Sequence, residues 1–300
     1  MVGQLGSRSG RARRQARAGW LLSSPAILAG LVVSIYPLVY LLAASVSKST
    51  LGRPFQEWVG AENFSRAIQD GIFTGSLVRS TLVAIASALV QVALGLGVAV
   101  LLRDLTRGVA VVRTLILLPL LTPPVMAAVM WKLLLDPNGG VFNAVLRGVG
   151  LIDQPLSLLG SPTWAIVTIS FAETWQWTPF VALLVYAGLL TLPKDVYEAA
   201  QLDGLNAWQT FRFITLPMIT PTLASVFLIK LILSFKLFDP VYILTAGGPG
   251  DSTMLSSFLI FRTALREFDV SYAAAMTLLL VVLITIVTIP VMLLNKRAKW

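Results

Sequence analysis

The chain has no cysteine and no histidine among its 300 residues. The first absence excludes disulfides, thiolate metal sites and cysteine nucleophiles. The second removes the commonest general base, proton shuttle and zinc ligand. Charge is also scarce, since Asp, Glu, Lys and Arg make up 12% of the residues. Of 14 acids only Glu173 lies deep inside an apolar segment, so no carboxylate pair is available for acid–base hydrolysis. These gaps argue against a catalytic chain.

Apolar residues fill the space. They reach 56% of the composition, with a mean hydropathy of +0.81, which lies outside the soluble range. A helix crosses about 30 Å of hydrocarbon with roughly 20 residues at about 1.5 Å each. Six segments meet that length, from about Trp20 to Val46, Leu82 to Leu102, Val109 to Leu135, Trp164 to Leu190, Met218 to Phe238 and Tyr272 to Leu294. Pro119, Pro123 and Pro124 interrupt the third, and Glu173 and Gln176 the fourth. The first is too long for the roughly 7 to 15 apolar residues of a signal peptide. It reads as an uncleaved span behind a basic tail, residues 1–18, that is disordered and lipid-facing; residues 19–300 form the transmembrane domain.

The excess charge of +9 sets the orientation. With the N-terminus inside, the inner segments hold thirteen Lys and Arg against four acids, while the outer loops hold eight of each. Glu173, Lys230, Lys236 and Asp239 lie within or at the edge of spans and cancel. The whole excess falls on one face, as the positive-inside rule requires. The expected fold is an all-α membrane protein with six transmembrane helices and both termini cytoplasmic. Basic residues scattered over several short inner segments form no nucleic-acid patch.

The inner loop 191–217 carries too much helix chemistry for a plain connector. Pro193, Asp195 and Glu198 favour a helix start, Gly204 suits a left-handed end, and Asn206 with Gln209 has capping-box spacing for a second helix. Ala199 and Ala200 present little side chain, so the first helix fits either a narrow cleft in another protein or the bilayer surface. Near the bilayer midplane, Glu173, Gln176, Trp177 and Phe180 share one helical face of span four, and Lys230 lies at similar depth in span five. An unpaired ionisable group there costs at least about 2.5 to 3.5 kcal/mol. Glu173 and Lys230 therefore either pair with each other or line a hydrated route where Trp177 stacks on a sugar ring. Lys236 and Asp239 read as a local ion pair. Leu118–Pro123 and Leu216–Pro221 repeat an L-P-x-x-T-P pattern that weakens the helical ladder.

The run Glu198-Ala199-Ala200, then Asp203-Gly204, then Phe211, Ile214, Leu216 and Pro217 resembles the EAA loop of integral membrane permease subunits of binding-protein-dependent ABC importers. Leu205 stands where alanine is usual. Tyr36-Pro37, Asn63-Phe64, Asp136-Pro137, Phe238-Asp239 and Gly247-Gly248-Pro249 extend the resemblance to the carbohydrate-uptake branch, of the maltose and glycerol-phosphate first-permease type. It implies a bacterial or archaeal cytoplasmic (inner) membrane and a cytoplasmic coupling helix between helices 4 and 5 that seats in an ATPase. Glu198, Ala199, Ala200, Asp203, Gly204 and Leu205 are then the contact and turn residues. Implied partners are a second permease, two ATPase subunits, an extracytoplasmic binding protein facing the 247–250 turn, and membrane lipid. No G-x-x-x-x-G-K-[ST] loop occurs, so ATP and Mg are expected on the ATPase and no cofactor on this chain. An ion-coupled secondary transporter predicts inverted repeats, and the two L-P-x-x-T-P copies share one orientation instead.

Overall fold

A computed structural model describes residues 5–105 and 107–297, with side chains at 20, 23–105 and 107–293. Helix α1 runs Leu5–Ser45, so the basic segment expected to be disordered is helical from Leu5 onward; residues 1–4 of that tail lie outside the described residues. Ala, Arg and Gln are good helix formers, and extending an existing helix costs no new nucleus. Around the apolar part of α1, from 23 to 45, the surface faces outward, and the helix packs mainly along the last one.

The connection from α1 to the next long helix is not purely helical. Strands β1 (Ser47–Thr50) and β2 (Arg53–Trp58) form an antiparallel hairpin, with Lys48 opposite Glu57 and ion-paired to it at 2.8 Å. Ser47 and Ser49 point inward, and Ser49 exchanges hydrogen bonds with Ser271. The serine hydroxyls are met locally, Ser47 by the Ala44 carbonyl and Ser49 by Phe55 N–H, while the Ser49 backbone is met by Ser271, which no local pattern announces. Helix α2 (Glu62–Gln69) follows.

Helix α3 (Gly71–Asp104) is the axis of the bundle. It begins eleven residues before the apolar segment read from the sequence. Its buried face carries Ser76, Ser80, Ala84, Ser87, Ala88, Gly95 and Ala99, small residues that admit neighbouring backbones closely. Against it pack α7 (Pro162–Leu190) and α10 (Leu216–Ser234), and α12 (Val270–Arg297) lies against α10 in turn. Val83 joins Ile169 and Ala172 in one apolar cluster; Ala99 joins Val181, Val185, Ile219 and Val226 in another; Ala84 and Ala88 join Leu231, Phe235 and Leu280 in a third.

The third expected span is broken. Helices α4 (Val109–Leu121) and α5 (Pro124–Leu134) meet at 88°. Each proline disfavours the helical region for the residue before it, and Thr122 and Pro123 both take extended backbone, at ψ 125° and 136°. The second copy of the same pattern stays straight. Pro217 follows directly on a π-helical turn, Phe211–Thr215, within the continuous helix Ala207–Ser234, and that irregular turn accommodates the rung its missing N–H removes. Helices α6 (Val141–Gly148) and α11 (Ser256–Leu265) complete one end of the bundle, and α8 (Lys194–Leu202) and α9 (Ala207–Thr210) the other. Residues 23–45, 71–104, 207–234 and 270–293 are long and apolar enough to cross a membrane singly. The bent pairs α4–α5 and α7–α8 qualify when each is taken together, so the bundle holds four to six crossings.

Candidate functional site

Deep in the bundle, Lys230 Nζ on α10 donates to Glu173 Oε1 on α7 at 2.7 Å, with the two residues 1% and 2% exposed. Ser234, one turn further along α10, donates to the same oxygen at 3.4 Å. The ammonium also lies 4.6 Å from the centre of the Trp177 ring, in reach of its negative face. Phe180 meets Trp177 edge to face at 5.9 Å. Of the two readings open for Glu173 and Lys230, this geometry has them paired with each other.

Gln176 has a task that its spacing did not reveal. Its Nε2 donates to the Thr122 carbonyl at 2.9 Å, at the break between α4 and α5. Non-helical backbone at membrane depth survives only where its polar groups are satisfied inside the protein, and this amide meets that need. Trp131 on α5 then packs edge-on against Phe171 and Trp175, at 5.3 and 5.7 Å, fixing α5 across α7. Of the five residues expected near the midplane, Glu173, Gln176 and Lys230 are turned fully inward, while Trp177 and Phe180 remain half-buried. Gln91 on α3 was missed, although a lone amide in an apolar run was a visible signal. It is fully buried, and neither its amide nor the Ser87 hydroxyl one turn away has a protein partner.

The second cluster is the elbow at the other end of α7, bent by 74° into α8. Gly204 takes φ +74°, which is strained for any residue with a Cβ, and Leu205 N–H donates to the Ala200 carbonyl at 3.0 Å, closing the helix as a left-handed cap should. Asn206 then opens α9: its Oδ1 accepts from Gln209 N–H and its own N–H donates to Gln209 Oε1, each at 2.9 Å. The elbow therefore satisfies its backbone internally and leaves its side chains outward. Ala200 is buried at 3%, whereas Glu198, Ala199, Leu202, Asp203 and Gly204 are exposed and Leu205 is half-buried. Behind it lies a cavity of about 640 Å³ lined by Arg103, Tyr197, Glu198, Leu205 and Phe211, among others. The Arg103 guanidinium sits 4.6 Å over the Tyr197 ring, and the Tyr197 hydroxyl donates to Thr215 Oγ1 at 3.2 Å.

At the outer end, Tyr272 donates to Asp70 at 2.6 Å and Arg66 pairs with Asp269, also at 2.6 Å. Burial works to raise the Asp70 pKa, but hydrogen bonds from Tyr272 and the backbone, with the Arg66 charge, outweigh it and hold the carboxyl below its ordinary value. Lys236 and Asp239, expected as a pair, form none among the described residues. The α10 helix ends at Ser234, before either residue, so the i, i+3 spacing no longer places the two side chains on one face. The 247–250 segment is a turn, with Gly247 and Gly250 at positive φ and Thr253 donating to the Gly248 carbonyl at 2.7 Å.

A multi-crossing helical bundle with a charge pair sealed at depth and an outward small-residue elbow at one end defines a membrane transport component. The chain belongs to the binding-protein-dependent transport system inner membrane components, a family that matches residues 91–300. It is a multi-pass inner-membrane subunit of a transport system and not an enzyme. Among its relatives, the trehalose/maltose transport system permease protein MalF of Thermococcus litoralis is 32% identical over 280 residues, covering 93% of this chain and 94% of that one. The lactose transport system permease protein LacF of Rhizobium radiobacter is 30% identical over 287 residues, covering 94% and 95%. The fold is shared with a bacterial alginate ABC transporter solved in complex with an alginate pentasaccharide-bound periplasmic protein, at TM-score 0.83 and 23% identity, over 95% of this chain and 98% of that one.

Proposed function

We propose that the chain is one of two permease subunits of an ATP-driven carbohydrate importer. Six crossings, counting α4–α5 as one, leave both termini and the 191–217 elbow in the cytoplasm, with residues 1–18 a basic cytoplasmic tail and 19–300 the permease domain. The positive-inside charge balance and the two bent helix pairs support that count. Relatives named for trehalose/maltose and lactose support a sugar as the solute. A periplasmic binding protein delivers it to the outer loops; the alginate transporter that shares the fold is in complex with a pentasaccharide-bound periplasmic protein.

The observation that carries the reading is the elbow. Glu198, Ala199, Ala200, Asp203, Gly204 and Leu205 form a helix and turn whose backbone is closed on itself, with Glu198, Ala199, Asp203 and Gly204 exposed on the outer face and Ala200 turned inward behind them. Such a surface suits a cleft in a partner ATPase, which holds ATP and Mg; this chain holds no cofactor. Along the pathway, the half-buried Trp177 and Phe180 are open enough to stack on a sugar ring, with the Glu173-paired Lys230 against the Trp177 ring and Gln176 holding the neighbouring α4–α5 break.

The test is a reconstituted complex with its ATPase and binding protein. Glu198→Lys places a cation in the cleft contact, so ATP hydrolysis stimulated by sugar-loaded binding protein is expected to disappear while membrane insertion is retained. Stimulation equal to that of the unaltered complex rejects the assignment.

A further inference from the structure

Resting on that reading, we infer that the Glu173–Lys230 pair is a positioning device that makes the two legs of the coupling elbow move as one lever. Leg one, α7, enters the elbow and is packed into α3 through the Ile169, Ala172, Val181 and Val185 clusters. The returning leg, α10, packs on α7 through Val181, Val185, Ile219 and Val226, and the elbow and its legs are tied at three levels. At the base, Tyr197 and Thr215 are hydrogen-bonded across the elbow. Higher up, Gly188 lets the helices touch, because a Cβ there would stand 2.7 Å from Thr222 Cγ2 and 3.0 Å from Ile219 Cδ1. At the top is the ion pair, seventeen residues above the end of α7, or roughly 26 Å along a helix.

The three ties differ in what they resist. The base bond is a single hydroxyl contact, and the Gly188 contact is van der Waals, so both permit sliding. Only the upper one fixes register, since moving Lys230 off Glu173 leaves two charges unpaired in the bilayer. With Ser234 on the same oxygen and the Trp177 ring against the ammonium, the pair also has a defined direction. A push on α8 from below then carries α7 and α10 upward together instead of splaying them. Apolar replacement of such a pair is commonly tolerated for folding, whereas loss of one partner is not. Folding and leverage are therefore separable.

The experiment uses the full reconstituted complex carrying spin labels at Gln201 on the elbow and at Asp251 in the outer turn, both exposed. Electron–electron distances are compared without nucleotide and with ATP and Mg. In the wild-type background the distance distribution shifts with ATP. In E173L/K230M, which removes both charges together, the protein reaches the membrane but that shift falls to less than half, and in the exchanged pair E173K/K230E it is recovered. An undiminished shift in E173L/K230M overturns the lever and reduces the pair to packing. Absence of any ATP-driven shift in the wild-type complex instead overturns the importer reading beneath it.

Discussion

The interior of the bundle and the elbow beneath it solve opposite problems with similar residues. Around Glu173 the bilayer supplies no water, so polar side chains must be spent on one another: Lys230 and Ser234 on the carboxylate, Gln176 on the Thr122 carbonyl. At the elbow the backbone groups close on themselves through the Leu205–Ala200 and Asn206–Gln209 bonds, which frees Glu198 and Asp203 for something else. A polar residue in the first region is evidence about structure, and one in the second is evidence about a partner. The contrast follows from solvent, because an unmet hydrogen bond costs several kcal/mol in hydrocarbon and far less where water can replace the partner.

The sharpest way to break this contrast is to remove one charge. Lys230→Met leaves Glu173 buried and unpaired, at an expected cost of about 3–5 kcal/mol, a large share of a typical folding free energy. Most of the protein should then be missing from the membrane as a monodisperse species in detergent size-exclusion. Glu173→Leu added to it should recover that species, since no orphan charge remains. Near-normal yield for Lys230→Met alone would mean that water reaches Glu173 and that the interior resembles the elbow after all. A smaller loss is expected for Gln176→Leu, which strands one carbonyl at the α4–α5 break and costs about 1–3 kcal/mol. Its signature is local: cross-linking between α5 and α7 near Trp131 and Phe171 should weaken before overall thermal stability collapses.

How much of this the chain declared in advance follows the same division. The elbow was legible almost residue by residue, because capping is local chemistry: Gly204, Asn206 and Gln209 act within a few positions of themselves. The crossings were legible as composition, apart from α3, whose outer extension from Gly71 is rich in Thr, Ser and Gly and lacks an apolar run. The hairpin at 47–58 was not, since the Ser49 backbone is completed by Ser271, more than two hundred residues away. For the same reason Gln176 was seen as a pathway residue: its partner is a carbonyl freed by prolines in another segment. The prolines themselves announced weakness in both L-P-x-x-T-P copies, but the outcome depended on the extra Pro124 in one and on the π-helical turn before Pro217 in the other.

The smallest effect tests whether the two regions are independent. Asn206→Ala deletes the side-chain half of the capping box, leaving the residue-206 N–H to Gln209 Oε1, and is expected to cost about 1 kcal/mol, the usual value of such a cap. That corresponds to about a fivefold faster amide exchange wherever opening is confined to the capped helix. Hydrogen–deuterium exchange followed by mass spectrometry should show this acceleration in peptides spanning 204–213, with peptides spanning 168–180 unchanged. Asn206→Asp keeps the accepting oxygen and should restore most of the protection. If peptides around Glu173 also exchange faster, the cap is not a local device, and the elbow is already bound energetically to the charge pair in the absence of any ATPase. The interior and the elbow would then be one cooperative unit, and α7 would transmit fraying as readily as it transmits force.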